Sequence, residues 1–223
     1  MKQDKENIMS TRTTIFVTIF LIAFSVAFSI SVYDRLPDQM ASHWNAASQV
    51  DGYISRFWGA FLMPVISAAM TLLFLVIPQI DPLKANIAKF RNYFNAFIAL
   101  MVGFMVYMHI LTMLWNLGYD GFNMGAAMLP AMGLLFVFAG IMMRQAKRNF
   151  FIGIRTPWTL SSDRVWDETH RIGSILFIAS GILSLLGAFF ANFAIWFILV
   201  PVLGSTLFLL IYSYVLYQRE TKA

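Results

Sequence analysis

Thr13–Val32, TTIFVTIFLIAFSVAFSISV, runs for twenty residues without a Lys, Arg, Asp or Glu. At ~1.5 Å rise per residue, such a helix covers a hydrocarbon core of ~30 Å. Five more uncharged runs follow: Phe57–Ile80, Phe94–Leu117, Met124–Met143, Ile172–Ala191 and Phe193–Leu216. In lipid only a helix or a closed barrel satisfies its own backbone, and unbroken rather than alternating apolar runs exclude the barrel. The 223 residues therefore read as an all-α membrane protein of six spans, a single membrane domain without a separate soluble one. The fifth and sixth runs abut and must form a tight hairpin, with its turn expected at Ala191–Asn192–Phe193, because a break at Pro201 or Gly204 leaves the last helix too short.

The charges orient the bundle. Fourteen of the sixteen Lys and Arg precede the first run, follow the second, follow the fourth or end the chain, while only Arg35 and Arg56 fall in the first loop. Cations beside spans stay in the cytoplasm, so both termini are expected inside, in a multi-pass protein of the cell membrane. The same topology accounts for the net charge of +5 without nucleic acid: the cations lie along cytoplasmic segments where anionic lipid is the nearest partner. Ala27-Phe28-Ser29 has the small-x-small form of a signal-peptide cleavage site. Cleavage is not expected, because the run exceeds the ~7–15 residues of a signal-peptide core. With no cysteine there is no disulfide framework or thiol chemistry.

Function must then reside in the spans or in two loops, 33–56 outside and 144–171 inside; Asp81–Tyr93 reads as an ordinary basic connector. In the outer loop Tyr33-Asp34-Arg35 leaves the first span, and Leu36-Pro37 starts a new segment. Met40–Asn45, with His43-Trp44-Asn45, reads as a short strand, followed by a turn at Asp51-Gly52 before Tyr53. Trp44, Tyr53, Phe57 and Trp58 suit either a headgroup-level aromatic plug or a surface that meets an extracellular peptide. In the inner loop Pro157 biases Thr156 to an extended conformation. Ser161 or Ser162 is expected to cap a short interfacial amphipathic helix ahead of the fifth span. Val165, Trp166, Thr169 and Ile172 lie on its apolar face, with Arg164/Glu168 and Asp167/Arg171 as ion pairs on the other. Trp158 and Trp166 suit the interface. Arg155 serves either as a lipid-phosphate anchor or as a fork of donors for a carboxylate, phosphate or backbone carbonyl.

His109 is the one histidine within a run. Counted from Phe94 it lies about 22 Å from the inner face, in the outer third of the membrane. Interhelical bonding is the expected role; a metal site with His43 and Asp51 has no motif behind it, and no cofactor is expected. No nucleophile–base pair or metal cluster supports an enzyme. A transporter is the rival class, although no span carries an Asp, Glu, Lys or Arg of the kind ion-coupled carriers use. Gly133, Gly140, Ser180, Ser184 and Gly187–Ala191 suit close helix packing and a homo-oligomer contact.

The pattern N-x-x-x-G-I/L-R-T-P-W-T-L followed by a Trp and T-H-R is present as Asn149, Gly153, Arg155, Thr156, Pro157, Trp158, Thr159, Leu160, Trp166, Thr169 and His170. It resembles the signature of the SdpI family of bacterial membrane immunity proteins. The L-P-x5-H-W-N and D-x-Y elements (Leu36-Pro37, His43-Trp44-Asn45, Asp51-Gly52-Tyr53) resemble an uncharacterised N-terminal module that often accompanies it. On that likeness residues 1–80 form the N-terminal module and 124–216 the SdpI-like region. The resemblance implies protection against a secreted peptide toxin of the cannibalism type, met by the outer loop. It also implies, for a member acting as a receptor, recruitment of a cytoplasmic autorepressor to the membrane through the 149–170 motif.

Overall fold

The computed structural model describes residues 8–190 and 193–222. Six helices are long and apolar enough to cross a membrane: α1 (Thr11–Val32), α2 (Arg56–Ile80), α4 (Arg91–Asn116), α5 (Met124–Gln145), α7 (Asp163–Gly187) and α8 (Trp196–Thr221). A two-stranded hairpin, β1 (Gln39–Trp44) and β2 (Val50–Ser55), joins α1 to α2, while short helices α3 (Lys84–Lys89) and α6 (Pro157–Ser161) lie at the opposite end. The six-span expectation holds. The α7–α8 turn falls between Gly187 and Trp196, but Ala191 and Asn192, where it was expected, lie outside the described residues.

Side chains that accept from free backbone amides start three of the spans: Ser10 from Thr13 N, Asn123 from Ala126 N and Ser162 from Val165 N. α1 inverts the soluble pattern. On α1 Thr14, Thr18, Ser25 and Ser29 are wholly buried while Phe16 and Phe20 face outward, because lipid solvates a phenyl ring and leaves a hydroxyl to find a protein partner. That hydroxyl stripe recurs at helical spacing but was not singled out in the sequence.

The spans form two groups. α1, α2 and α4 pack on one another; α5 packs along α7 and α7 along α8; α4 against α5 is the main seam between groups. Close approach of α5 and α7 depends on missing side chains: a methyl on Gly133 would stand 2.7 Å from Gly181 O, and one on Gly140 2.7 Å from Ser174 O. Ser184 Oγ donates to Leu129 O across the same contact at 3.1 Å. The small-residue face expected to serve a homo-oligomer is thus covered within the chain.

Two inner-loop expectations are corrected. Residues 163–171 are the first turns of α7, continuous with the fifth span, and the separate short helix is Pro157–Ser161. Ser162 ends α6 in an extended conformation and caps α7, so the break falls before the amphipathic segment. The expected i,i+4 ion pairs are replaced by Arg148–Asp163, Lys147–Asp167 and Arg171–Glu168; the folded-back loop brings its own cations to the carboxylates.

Candidate functional site

The hairpin end is built on buried anchors. Leu36 and Met40 are buried among Val32, Ala60 and Met113, and Met40 fits because Gly59 has no Cβ in its way. Asn116 at the end of α4 clamps β1: its Oδ1 accepts from Ala41 N at 2.7 Å and its Nδ2 donates to Ala41 O at 3.0 Å. The expected strand is present, but the expected turn at Asp51-Gly52 is not. Asp51 and Gly52 lie within β2, and the reversal spans Asn45–Gln49, where Asn45 Oδ1 accepts from Ala47 N and Gln49 N and Ser48 takes φ 59°. Gly52 serves a close strand approach, since a Cβ there would meet the His43 Cβ at 2.9 Å.

Ser48 reaches the second helix group. Its Oγ donates to Asn123 Oδ1 at 2.8 Å and accepts from Gly125 N at 3.1 Å. The hairpin therefore straps both sides of the α4–α5 seam. Beneath it lies a cavity of about 420 Å³ lined by Met63, Met108, Met124 and Met128 with Thr112, Trp44 and Ser48. Trp44 stands edge-on to Trp115 at 5.6 Å. His43 Nδ1 and Asp51 pair at 2.5 Å on an exposed rim. Tyr53, Phe57 and Trp58 are exposed, Pro37 O accepts from Arg56 Nε, and Trp44 alone of the four aromatics tucks inward.

His109 sits apart from that rim. Ser29 Oγ gives its proton to Ala60 O at 2.7 Å, so His109 Nε2, 2.8 Å away, donates to Ser29 Oγ and links α4, α1 and α2. Among the described residues no three His, Asp or Glu side chains gather as a metal set.

At the opposite end the motif residues hold one loop. Asn149 is buried; its Oδ1 accepts from Phe151 N and Ile152 N while its Nδ2 donates to Lys147 O and Ile152 O. Gly153 takes φ 110°, and a Cβ there would strike the His170 imidazole. His170 donates from Nδ1 to Trp166 O at 2.8 Å and accepts at Nε2 from Ile154 N at 3.0 Å, which fixes its tautomer. Its ring stacks on Trp166 at 4.0 Å. Trp166, expected at the interface, is instead wholly buried, its Nε1 donating to Ala146 O at 3.0 Å. Thr156, extended as expected before proline, caps α6 in a reciprocal box with Thr159 and touches Ser213 of α8 at 3.2 Å. Thr169 is buried, and Trp158 packs on Tyr214 at 5.0 Å.

Asn149, Thr156, Thr159, Trp166, Thr169 and His170 therefore face inward and shape the loop. Arg155 is the exposed charge of the motif, donating Nη1 to Phe150 O at 3.0 Å. Two ties were missed from the sequence. Asp81 Oδ2 accepts from Phe150 N at 2.9 Å, and Asn86 Nδ2 donates to Arg148 O at 2.9 Å. The segment read as an ordinary connector thus anchors the motif loop to the first helix group; an Asp directly after an apolar span was the available signal.

Fold and site define a polytopic membrane protein with a strapped cavity at one end and a hydrogen-bonded motif loop at the other. Residues 145–214 match the SdpI/YfhL protein family, and residues 20–68 match a domain of unknown function, DUF1648. The chain is 26% identical to Immunity protein SdpI of Bacillus subtilis (strain 168) over 189 residues, which cover 84% of this chain and 88% of that relative. No solved structure matches. The resemblance read from the two motifs therefore holds in both halves of the chain.

Proposed function

We propose that this chain is a membrane immunity protein that gives resistance to a secreted peptide toxin, with both termini in the cytoplasm and the hairpin outside. The observation that carries the reading is the likeness to a relative named as an immunity protein, which runs through both the hairpin module and the motif loop. In this reading the hairpin rim, with His43, Asp51 and Tyr53, meets the toxin. Arg155, left exposed by a loop whose other polar groups are used internally, is the contact for a cytoplasmic repressor. No catalytic role is assigned.

The test is survival of a toxin-sensitive bacterium expressing wild type, His43→Ala or Arg155→Ala under a cannibalism-type peptide toxin, with membrane levels checked by blot. Wild-type protection lost in His43→Ala supports outer contact. No protection by well-expressed wild type overturns the reading.

A second reading, export of a small molecule or peptide, draws on one observation. The 420 Å³ cavity and another of about 270 Å³ at the opposite end are both lined by α2, α4 and α5. Flux of toxin across proteoliposomes would favour it; protection without flux favours immunity.

A further inference from the structure

The second cavity lies at the motif end, bounded by Phe74 and Ile77 of α2, Phe94 and Phe97 of α4, Ala139 and Met142 of α5 and Phe177 of α7; Ile152–Arg155 close it. Its walls are almost wholly apolar, and Arg155 is the one charged lining residue. Among the described residues no carboxylate lies within ion-pair reach of Arg155, whereas Arg148 and Lys147 of the same loop pair with Asp163 and Asp167. One guanidinium nitrogen of Arg155 serves Phe150 O, which leaves further donors of the fork free. Arg91 lies over the Phe94 ring at 5.9 Å and adds a second cation beside the wall. The nearby carboxylate, Asp81, is buried and already accepts from Phe150 N and Leu83 N.

The loop also shows where the cavity opens. Phe150 and Phe151 are 46% and 37% exposed, and Phe151 lines the cavity as well. In a chain that spans the membrane, two exposed phenyl rings beside span ends sit at the acyl–headgroup boundary. An opening beside them would face lipid rather than bulk water. At about 270 Å³ the space is below the ~300–1,000 Å³ of sites for drug-sized ligands and takes part of one flexible chain, the rest remaining outside the cavity.

We propose that this cavity binds an anionic phospholipid of the surrounding bilayer, with one acyl chain among Phe97, Met142 and Phe177 and the headgroup phosphate on Arg155. Arg suits this role because its planar fork presents paired donors to phosphate oxygens. The motif loop then works as a lipid clamp: Asn149, His170 and Trp166 hold it closed over the chain, and the two cations at the wall, Arg155 and Arg91, disfavour a head such as choline that adds a cation of its own to the phosphate. The proposal stands apart from toxin protection at the hairpin end but replaces the repressor contact at Arg155, because a headgroup seated on that fork leaves it unavailable to a cytoplasmic protein.

The test uses the full chain in liposomes containing trace phosphatidylglycerol with a diazirine near the acyl end, beside the same probe with a phosphatidylcholine head. Photolabelled residues are mapped by mass spectrometry. Labelling of Phe97, Met142 or Phe177 above that of the outward-facing Leu134 and Phe208, with roughly tenfold preference for the anionic probe, is the expected result. Arg155→Gln should bring the preference to near unity, and Ala139→Trp should abolish cavity labelling. If Ala139→Trp fails to insert, Arg155→Gln decides alone, since that side chain makes one hydrogen bond within the loop. Equal labelling by both probes, label confined to outward faces, or a preference that survives Arg155→Gln would each overturn the proposal.

Discussion

Ile154 donates its backbone N–H to Nε2 of His170, 3.0 Å away and sixteen residues later, so the first turns of the fifth span hold the loop that precedes them. His170→Ala leaves that amide without its partner and a void beside Trp166. We expect a loss of about 2–4 kcal/mol, read by thermal unfolding in detergent. A melting curve unchanged from wild type would show that the loop does not depend on this bond.

Gly153→Ala should destabilise by a different route. The φ of 110° is strained for any side chain, at about 1–3 kcal/mol, and the new methyl would also strike the imidazole. His170→Ala removes the imidazole, so in the double variant the clash disappears while the backbone strain remains. Double-mutant-cycle unfolding should therefore show less than additive loss; full additivity would place the whole cost in the backbone.

Asn149→Ala removes two acceptor bonds and two donor bonds at once. Asn149→Asp keeps the acceptors and loses the donors. Protease cleavage between residues 149 and 156 should rise in both variants, in Asp because its second oxygen faces Lys147 O and Ile152 O as acceptor against acceptor in a buried site; equal cleavage in all three would mean that the turn holds without this side chain.

These inner residues mark how far the sequence could be read. Six uncharged runs predict six helices because a membrane imposes one length and one backbone solution on each crossing. Pro157 showed where an extended conformation was needed, at Thr156, whereas the positive φ of Gly153 was not read from the motif. Nor did the motif show that Trp166 would be buried. An indole near a span end is equally at home in the interface or under a loop, and only the hydrogen bond to Ala146 O decides between them. Asp51-Gly52 has turn composition, yet Gly52 answers to the close approach of His43 across the ladder, a tertiary demand that local composition cannot reveal. Asp81 and Asn86 were missed for a related reason: their partners are more than sixty residues away.

The hairpin should detach when its clamp is removed. Asn116→Leu loses both bonds to Ala41, and hydrogen exchange across Gln39–Trp44 should speed up by about tenfold or more while the spans stay protected. Unchanged exchange in β1 would locate the anchoring in Met40 and Leu36 instead.

The absence of cysteine makes the orientation directly measurable. Single Ser42→Cys and Ser161→Cys variants place thiols at two exposed positions on opposite ends. An impermeant maleimide added to intact cells should label Ser42→Cys and should reach Ser161→Cys only after lysis. The reverse pattern would invert the topology and move the hairpin to the cytoplasm.

On the proposed function, the hairpin end meets the toxin in cells the chain protects. The most direct measurement attaches a photoactivatable group through Ser42→Cys or Ser161→Cys in a sensitive bacterium, confirms survival, then irradiates with peptide toxin present. A toxin adduct at Ser42→Cys and none at Ser161→Cys is the expected result. Protection with no adduct at Ser42→Cys, or an adduct at Ser161→Cys alone, would contradict it.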